Sequence, residues 1–367
     1  MRFEPIGEGF VSRRDPASVT AVAAGPRCAL GPDGEILCTF MVQSRLAVND
    51  FVPLLARSRD AGMTWEEPQP IWPELRDRYS LFCSISRARS GELFLYGIRI
   101  PIDTPGESFW SEATQGLKQN ELFWSSSPDG LRWTEPCPIP MPIAGSAEAP
   151  GPMSITSAGR WVVCYAPYPN FDPAVSVDRG QIVCLHSDDR GRSWNHSRML
   201  QFREPHSGGA EAWVIELADG RLLGTCWHMD LQTGKDHENA YALSKDGGST
   251  WSPTYRTGTQ GQSTALAPLP DGRALFIYNR RTPDETGVRL AVVRPSESGF
   301  GLESDQLIWC AQAATQAGGN LDHGNWTDFA FGEPSVTALQ DDTLLVTLWC
   351  VQPDGQGIRY VKLKQVD

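Results

Sequence analysis

No run of basic residues occurs in this sequence, which sets 32 Lys and Arg against 44 Asp and Glu for a formal net charge of −12. A nucleic-acid surface needs a positive stripe, so nucleic acid is excluded as the expected partner. No apolar stretch reaches 18 residues, and the opening Met1–Glu8 lacks an apolar core. Neither a membrane helix nor a leader peptide is therefore expected, and the expected location is the cytoplasm. Neither C-x-x-C nor H-E-x-x-H spacing occurs, which leaves no expected metal or cofactor. The nine cysteines are odd in number and scattered, and Cys38, Cys164, Cys184, Cys226 and Cys350 lie in apolar runs, as reduced buried thiols do. Long amphipathic windows free of glycine and proline are also missing. With 35 Gly and 28 Pro, the chain reads as many short strands and almost no helix.

What the chain does contain is a repeat. Ser58-Arg59-Asp60-Ala61-Gly62-Met63-Thr64-Trp65 returns as Ser187 to Trp194 and again as Ser244 to Trp251, with a copy one residue shorter from Ser127 to Trp133. The pattern is S-x-D-x-G-x-[ST]-W. Ser and Asp two apart turn their oxygens onto backbone N–H groups, Gly supplies a positive φ, and Trp is a large apolar plug for the gap between neighbouring units. A second repeat runs in phase with it: a strand, a tight turn, then an apolar strand. The turns fall at Asp33-Gly34, Ser90-Gly91, Ala158-Gly159, Asp219-Gly220, Asp271-Gly272 and Asp341-Asp342.

Six copies at this spacing predict an all-β fold, a six-bladed β-propeller of four-stranded antiparallel blades, in one domain over residues 1–367. Blade five lacks the locking turn around Arg294–Gly301, and the last blade runs out of chain near Leu363. The N-terminal stretch around Phe3–Ala23 is expected to complete the last blade and close the ring. If strands A to D run from the centre outward, both hairpin turns lie at one end of each blade. The starts of the A strands and the B–C loops then gather at the other end. That rim is expected to collect Arg27, Glu148, Glu211, Gln262 and Glu333, together with Arg45, Asp50, Arg99, Tyr165, His228, Arg280 and Arg281.

The locking turns resemble the Asp-boxes of the sialidase superfamily, and the two interleaved repeats resemble its six-bladed catalytic domain over nearly the whole chain. In that resemblance Arg27 corresponds to the first arginine of a carboxylate-binding triad, while Arg45 and Asp50 resemble the loop arginine and the acid/base aspartate. Glu211 resembles the glutamate that activates the nucleophile. Two positions depart from the family pattern: Cys226-Trp227-His228 stands where the second triad arginine is expected, and Glu333 stands where the tyrosine nucleophile is expected. Arg280 or Arg281 is the candidate third arginine.

The resemblance implies an exo-glycoside hydrolase removing a terminal, acidic sugar from a glycan or glycoside. Asp50 is the expected acid and base, Glu211 and Glu333 are the expected glutamate pair, and Arg27, Arg45, Arg99, Glu148, His228, Arg280 and Arg281 are expected to bind substrate. Three alternatives stay open. Propeller arabinan hydrolases use two glutamates, for which Glu148 and Glu211 are candidates. A uronate lyase would need a base such as Tyr165, Tyr168 or His228. A binding propeller without catalysis would not bring the carboxylates together, and each residue has a plainer role open to it, a turn cap for Asp50 and a hydrogen-bonded structural histidine for His228.

Overall fold

The computed structural model describes residues 1–282, 285–317 and 323–366. Six antiparallel sheets stand around one axis, each with its first strand innermost. Blade one is Val22–Leu30, Ile36–Gln43, Val52–Ser58 and Gln69–Pro70; blade two is Tyr79–Arg87, Leu93–Pro101, Glu121–Ser127 and Cys137–Ile139. In blade three the innermost strand is split into Ser146–Glu148 and Ser154–Ile155, followed by Trp161–Tyr168, Gln181–Ser187 and Asn195–Gln201. Blade four is Ser207–Glu216, Leu222–Asp230, Ala240–Ser244 and Tyr255–Arg256. Blade five is Thr264–Pro268, Ala274–Arg280, Gly287–Val293 and Leu302–Cys310, and blade six is Phe331–Ala338, Thr343–Gln352 and Gly355–Gln365, completed by Phe3–Arg14.

The second strands read as continuous apolar runs because both of their faces are covered by neighbouring blades. Ile36–Gln43 is buried at every position. Asn195–Gln201, an outer strand, is exposed over most of its length. The expected ring closure is present: Phe3 pairs opposite Gln365 and Arg14 opposite Gln356, so the N-terminal strand is the outer edge of the last blade. The outward backbone groups of Gly355–Gln365 are thereby bonded.

The locking turns have the same geometry in each full copy. Ser58 Oγ donates to Asp60 Oδ1 at 2.9 Å and accepts the Gly62 N–H at 2.9 Å, while Asp60 accepts the Thr64 N–H at 2.8 Å and the Thr64 hydroxyl at 2.6 Å. The Asp189 and Asp246 turns repeat this set of bonds, and the shortened Asp129 turn keeps the Ser–Asp and Asp–backbone contacts. Glycine is required at Gly191, where φ is +79° and a Cβ would stand 2.9 Å from Trp161 and from Trp124 of the preceding blade. The four Trp plugs do wedge between blades. Trp65 packs on the blade one–six cluster with Ile36 and Leu345, and Trp194 on the blade two–three cluster. Trp133 and Trp251 pack on the blade one–two and three–four clusters. Blade five, without a lock, turns through Arg294 N–H to Gly301 O at 2.9 Å. All nine cysteines are free thiols, six of them buried.

The hydrogen bonds to Thr64 hold the Asp60 carboxyl at about 2, below its ordinary 3.8. A depressed carboxyl adds stability above its unfolded pKa and loses it as pH falls through the folded value. Asp60→Ala should therefore lower Tm by about 2–4 °C at pH 7, and the difference from wild type should narrow sharply by pH 2 in differential scanning calorimetry. A gap of unchanged size at pH 2 would show that the lock does not act through the ionised carboxylate.

Candidate functional site

The innermost strands of blades one, four and six each carry an irregularity near their start, between Ala24 and Arg27, Ala210 and Trp213, and Gly332 and Ser335. One residue in each bulge takes a positive φ: Gly25 at +65°, Glu211 at +50° and Glu333 at +47°. A bulge inserts a residue into the pleat and re-aims its side chain. For a glutamate such a conformation costs on the order of 1–3 kcal/mol, which the surrounding structure must hold in place. In blade three the equivalent stretch leaves the sheet altogether between Glu148 and Ser154.

These departures bring Glu148, Glu211 and Glu333 onto the wall of a single cavity of about 420 Å³ at the end of the hub. The three are bonded to one another's surroundings. Glu148 accepts the Glu211 backbone N–H at 2.7 Å, Glu211 accepts the Ser263 hydroxyl, and Glu333 accepts the Gly25 N–H at 2.9 Å. Arg281 also lines the cavity, but its guanidinium is held by Phe331 O and, at 3.1 Å, by Gln262 Oε1, and it lies 3.9 Å over the Phe329 ring. Arg27 is buried behind the floor, donating to Pro150 O at 3.1 Å, Pro26 O at 2.8 Å and Glu333 O at 3.1 Å. Both arginines therefore neutralise the floor without offering a free fork.

Burial dominates the titration of this cluster. It lifts Glu148 from 4.5 to about 7, opposed by its bond from Glu211 N–H. Burial lifts Glu211 further, reinforced by the charges of Glu333 and Glu148. Glu333 is raised too, though Arg27, the Gly25 N–H, Arg281 and Trp349 all favour its ionised form. Carboxyls this close titrate as a set. Glu333 is the member best held as an anion, and Glu148 and Glu211 are where a proton is retained near neutral pH.

Several expected residues lie elsewhere. Asp50 folds back on its own loop, its two oxygens 3.2 and 3.3 Å from Ser44 N–H, and does not line the cavity. Arg45 on that loop is exposed. Arg99 pairs with Glu121 at 2.8 Å and Arg280 with Glu285 at 3.2 Å. Strand parity explains Arg99, because its neighbours Ile98 and Ile100 face the cavity and it must face away. The same alternation sends Trp227 and Met229 inward and buries His228 between blades, stacked on Phe202 at 4.4 Å and bonded to Ser207 and Arg256. Burial lowers His228 to about 4, so it remains neutral. Tyr165 is buried away from the cavity; Tyr168 lines it, and burial raises its phenol to about 12. Three participants had no marker in the sequence: Ser263 and Gly25, which hold carboxylates, and Arg179, which lines the wall 4.3 Å from the Tyr168 ring.

A family model described as BNR repeat-like domain matches residues 55–308. Among solved structures, a protein of unknown function from Dyadobacter fermentans superposes with a TM-score of 0.75 at 20% identity over 99% of both chains. The NanB sialidase from Streptococcus pneumoniae gives 0.62 at 15% identity over 97% of this chain and 70% of its own. The α-L-arabinanase of Penicillium chrysogenum, solved with arabinobiose, gives 0.61 at 16% identity over 98% of each. No curated protein sequence is similar enough to match. At these identities the likeness is one of fold.

The Glu148 shift has a measurable consequence for stability. Between 4.5 and about 7 the unfolded chain releases this proton while the folded chain keeps it, so stability falls as pH rises through that window. Wild type should lose Tm from pH 5 to pH 7.5, and Glu148→Gln should flatten the slope. Parallel melting curves for the two proteins would disprove the shift.

Proposed function

The chain belongs to the BNR repeat-like domain family, and on that premise we propose that it is a glycoside hydrolase acting on a terminal sugar that carries no carboxylate. Sialidases and an arabinanase share its six-bladed fold, which makes hydrolysis of a glycosidic bond the first chemistry to consider. One observation carries the reading: glutamates from blades three, four and six open onto one cavity, while the two deeply buried arginines beside them are committed to internal acceptors. A sialidase-type clamp needs several guanidinium forks free to grip a carboxylate. Arg45, Arg99 and Arg280 stand outside this cavity, and Arg179, 4.3 Å over the Tyr168 ring, adds one guanidinium to the wall rather than a set of forks.

Glu148 is the proton donor, since its pKa of about 7 keeps it protonated in neutral solution. Blade three lies opposite blade six in the ring, so a sugar in the cavity sits between Glu148 and Glu333. Glu148 gives its proton to the glycosidic oxygen as the bond to the anomeric carbon breaks. Glu333, whose ionised form Arg27 and Arg281 favour against burial, meets the positive charge that develops on that carbon. Water then adds there, and its proton returns to Glu148. Glu211, bonded to Ser263 and next to both partners, holds the carboxyls in register. The acid role expected of Asp50 passes in this reading to Glu148. Lyase chemistry is less favoured, because a phenol at about 12 is a poor base at neutral pH.

The test is turnover on aryl glycosides of arabinose, other neutral sugars, sialic acid and uronic acids. Hydrolysis of a neutral glycoside is expected, with kcat falling as pH rises above about 7. Glu148→Gln and Glu333→Gln should each lose roughly 10²–10⁴-fold, and Asp50→Asn should stay within about twofold. Full activity in either glutamine variant, or turnover of sialosides alone, would overturn the assignment.

A further inference from the structure

The polar floor occupies only part of the cavity. Above blades one and two the wall is aromatic, built from Phe51, Phe109, Trp110 and Trp326. Phe51 and Phe109 meet edge to face at 4.8 Å, and Trp326 lies 6.0 Å from Phe109 and 5.9 Å from Trp110. Trp110 and Trp326 are only half-buried, so each keeps open surface. The Trp110 indole N–H is committed outward to Glu112 at 3.1 Å.

The amides at this wall are already committed. Gln115 donates to Glu112 O and Glu112 Oε2, both at 3.0 Å, and Gln43, with its amide oriented to suit its neighbours, donates to Arg45 O at 3.0 Å and Val48 O at 3.2 Å. A second sugar here would bring hydroxyls into a place that offers them little, and polar groups that lose water without a partner oppose binding.

The wall is also attached to the proton donor's strand. Ser146 Oγ donates to Leu117 O at 3.1 Å, and Asn120 exchanges 2.9 Å hydrogen bonds with Ala147, the residue before Glu148. Phe109 and Trp110 reach the cavity from the same insertion, Ser108–Lys118, whose ribbon pairs Trp110 with Leu117. An acid that protonates the leaving oxygen must stand on the leaving-group side of the bond, and the bonds above tie the strand of Glu148 to the segment that carries Phe109 and Trp110.

We propose that the aromatic wall is a leaving-group subsite for a flat aromatic aglycone, which makes the substrate an aryl glycoside rather than a longer saccharide. This rests on the hydrolase reading for its orientation. The reaction is hydrolysis with no other co-reactant: the anomeric carbon–oxygen bond breaks, Glu148 supplies the proton that leaves with the phenol, and water supplies the hydroxyl retained by the sugar.

Isothermal titration calorimetry with 2-naphthol, a free aglycone that cannot be hydrolysed, tests the subsite apart from catalysis. Saturable binding to the full chain is expected, weakened roughly tenfold by Trp110→Ala and by Trp326→Ala and largely kept by Trp110→Phe, which guards against a folding defect. Kinetics should agree: the ratio of kcat/KM for a naphthyl over a methyl glycoside of one sugar should fall by a similar factor in both alanine variants. No binding by wild type, or equal binding by well-folded alanine variants, would overturn the subsite even if glycosides are hydrolysed. Naphthol binding that follows the expected pattern in a protein hydrolysing no glycoside would support the aromatic subsite and remove the hydrolase reading alone.

Discussion

The pairing of Phe3–Arg14 with Gly355–Gln365 is the constraint on which the hub depends. Six wedge-shaped sheets bury their faces only when the circle is complete. An open circle would leave blades one and six each with an uncovered apolar face, and Ile36, Leu345 and Tyr360, now in one cluster, would face water. Closure also brings Gly25 of blade one against Glu333 of blade six, so the same contact that completes the wall completes the floor. The locking turns hold the rim locally, and the strand pairing holds the ring.

How far this was legible follows from the kind of signal each element carries. The Asp-boxes were plain because their chemistry is local: Ser58, Asp60, Gly62 and Thr64 satisfy one another within a few residues. The blade count followed from the spacing of the tight turns, and the closing strand from the last blade running out of chain. The floor was legible where it coincided with the starts of innermost strands, as for Arg27, Glu148, Glu211 and Glu333. Side-chain direction at strand ends was not. Arg99 and His228 lie next to cavity residues and point the other way, because a shift of one position reverses the face. Asp50 satisfied its own loop, a role open to any loop aspartate. Ser263 acts across blades, and no local pattern announces a partner more than fifty residues distant.

The floor shows why these blades depart from regular pairing where they do. Regular strands would send the glutamates alternately toward and away from the axis, as parity sends Arg99. Bulges at Glu211 and Glu333 place both at the hub, and the break after Glu148 frees a third. Burying three carboxyls is unfavourable. It is made tolerable by Arg27 and Arg281, by N–H donors from Gly25 and Glu211, and by retained protons.

Gly25 has the same bulged conformation as the two glutamates but carries no side chain. A Cβ there would lie 2.1 Å from the Phe82 ring of blade two. The wheel's rotational pseudosymmetry is therefore broken at one spoke, with acids on one arc of the rim and hydrocarbon on the arc where the next acid would have been. A guest entering along the axle meets two unlike half-circles, so it has one preferred azimuth rather than several equivalent ones.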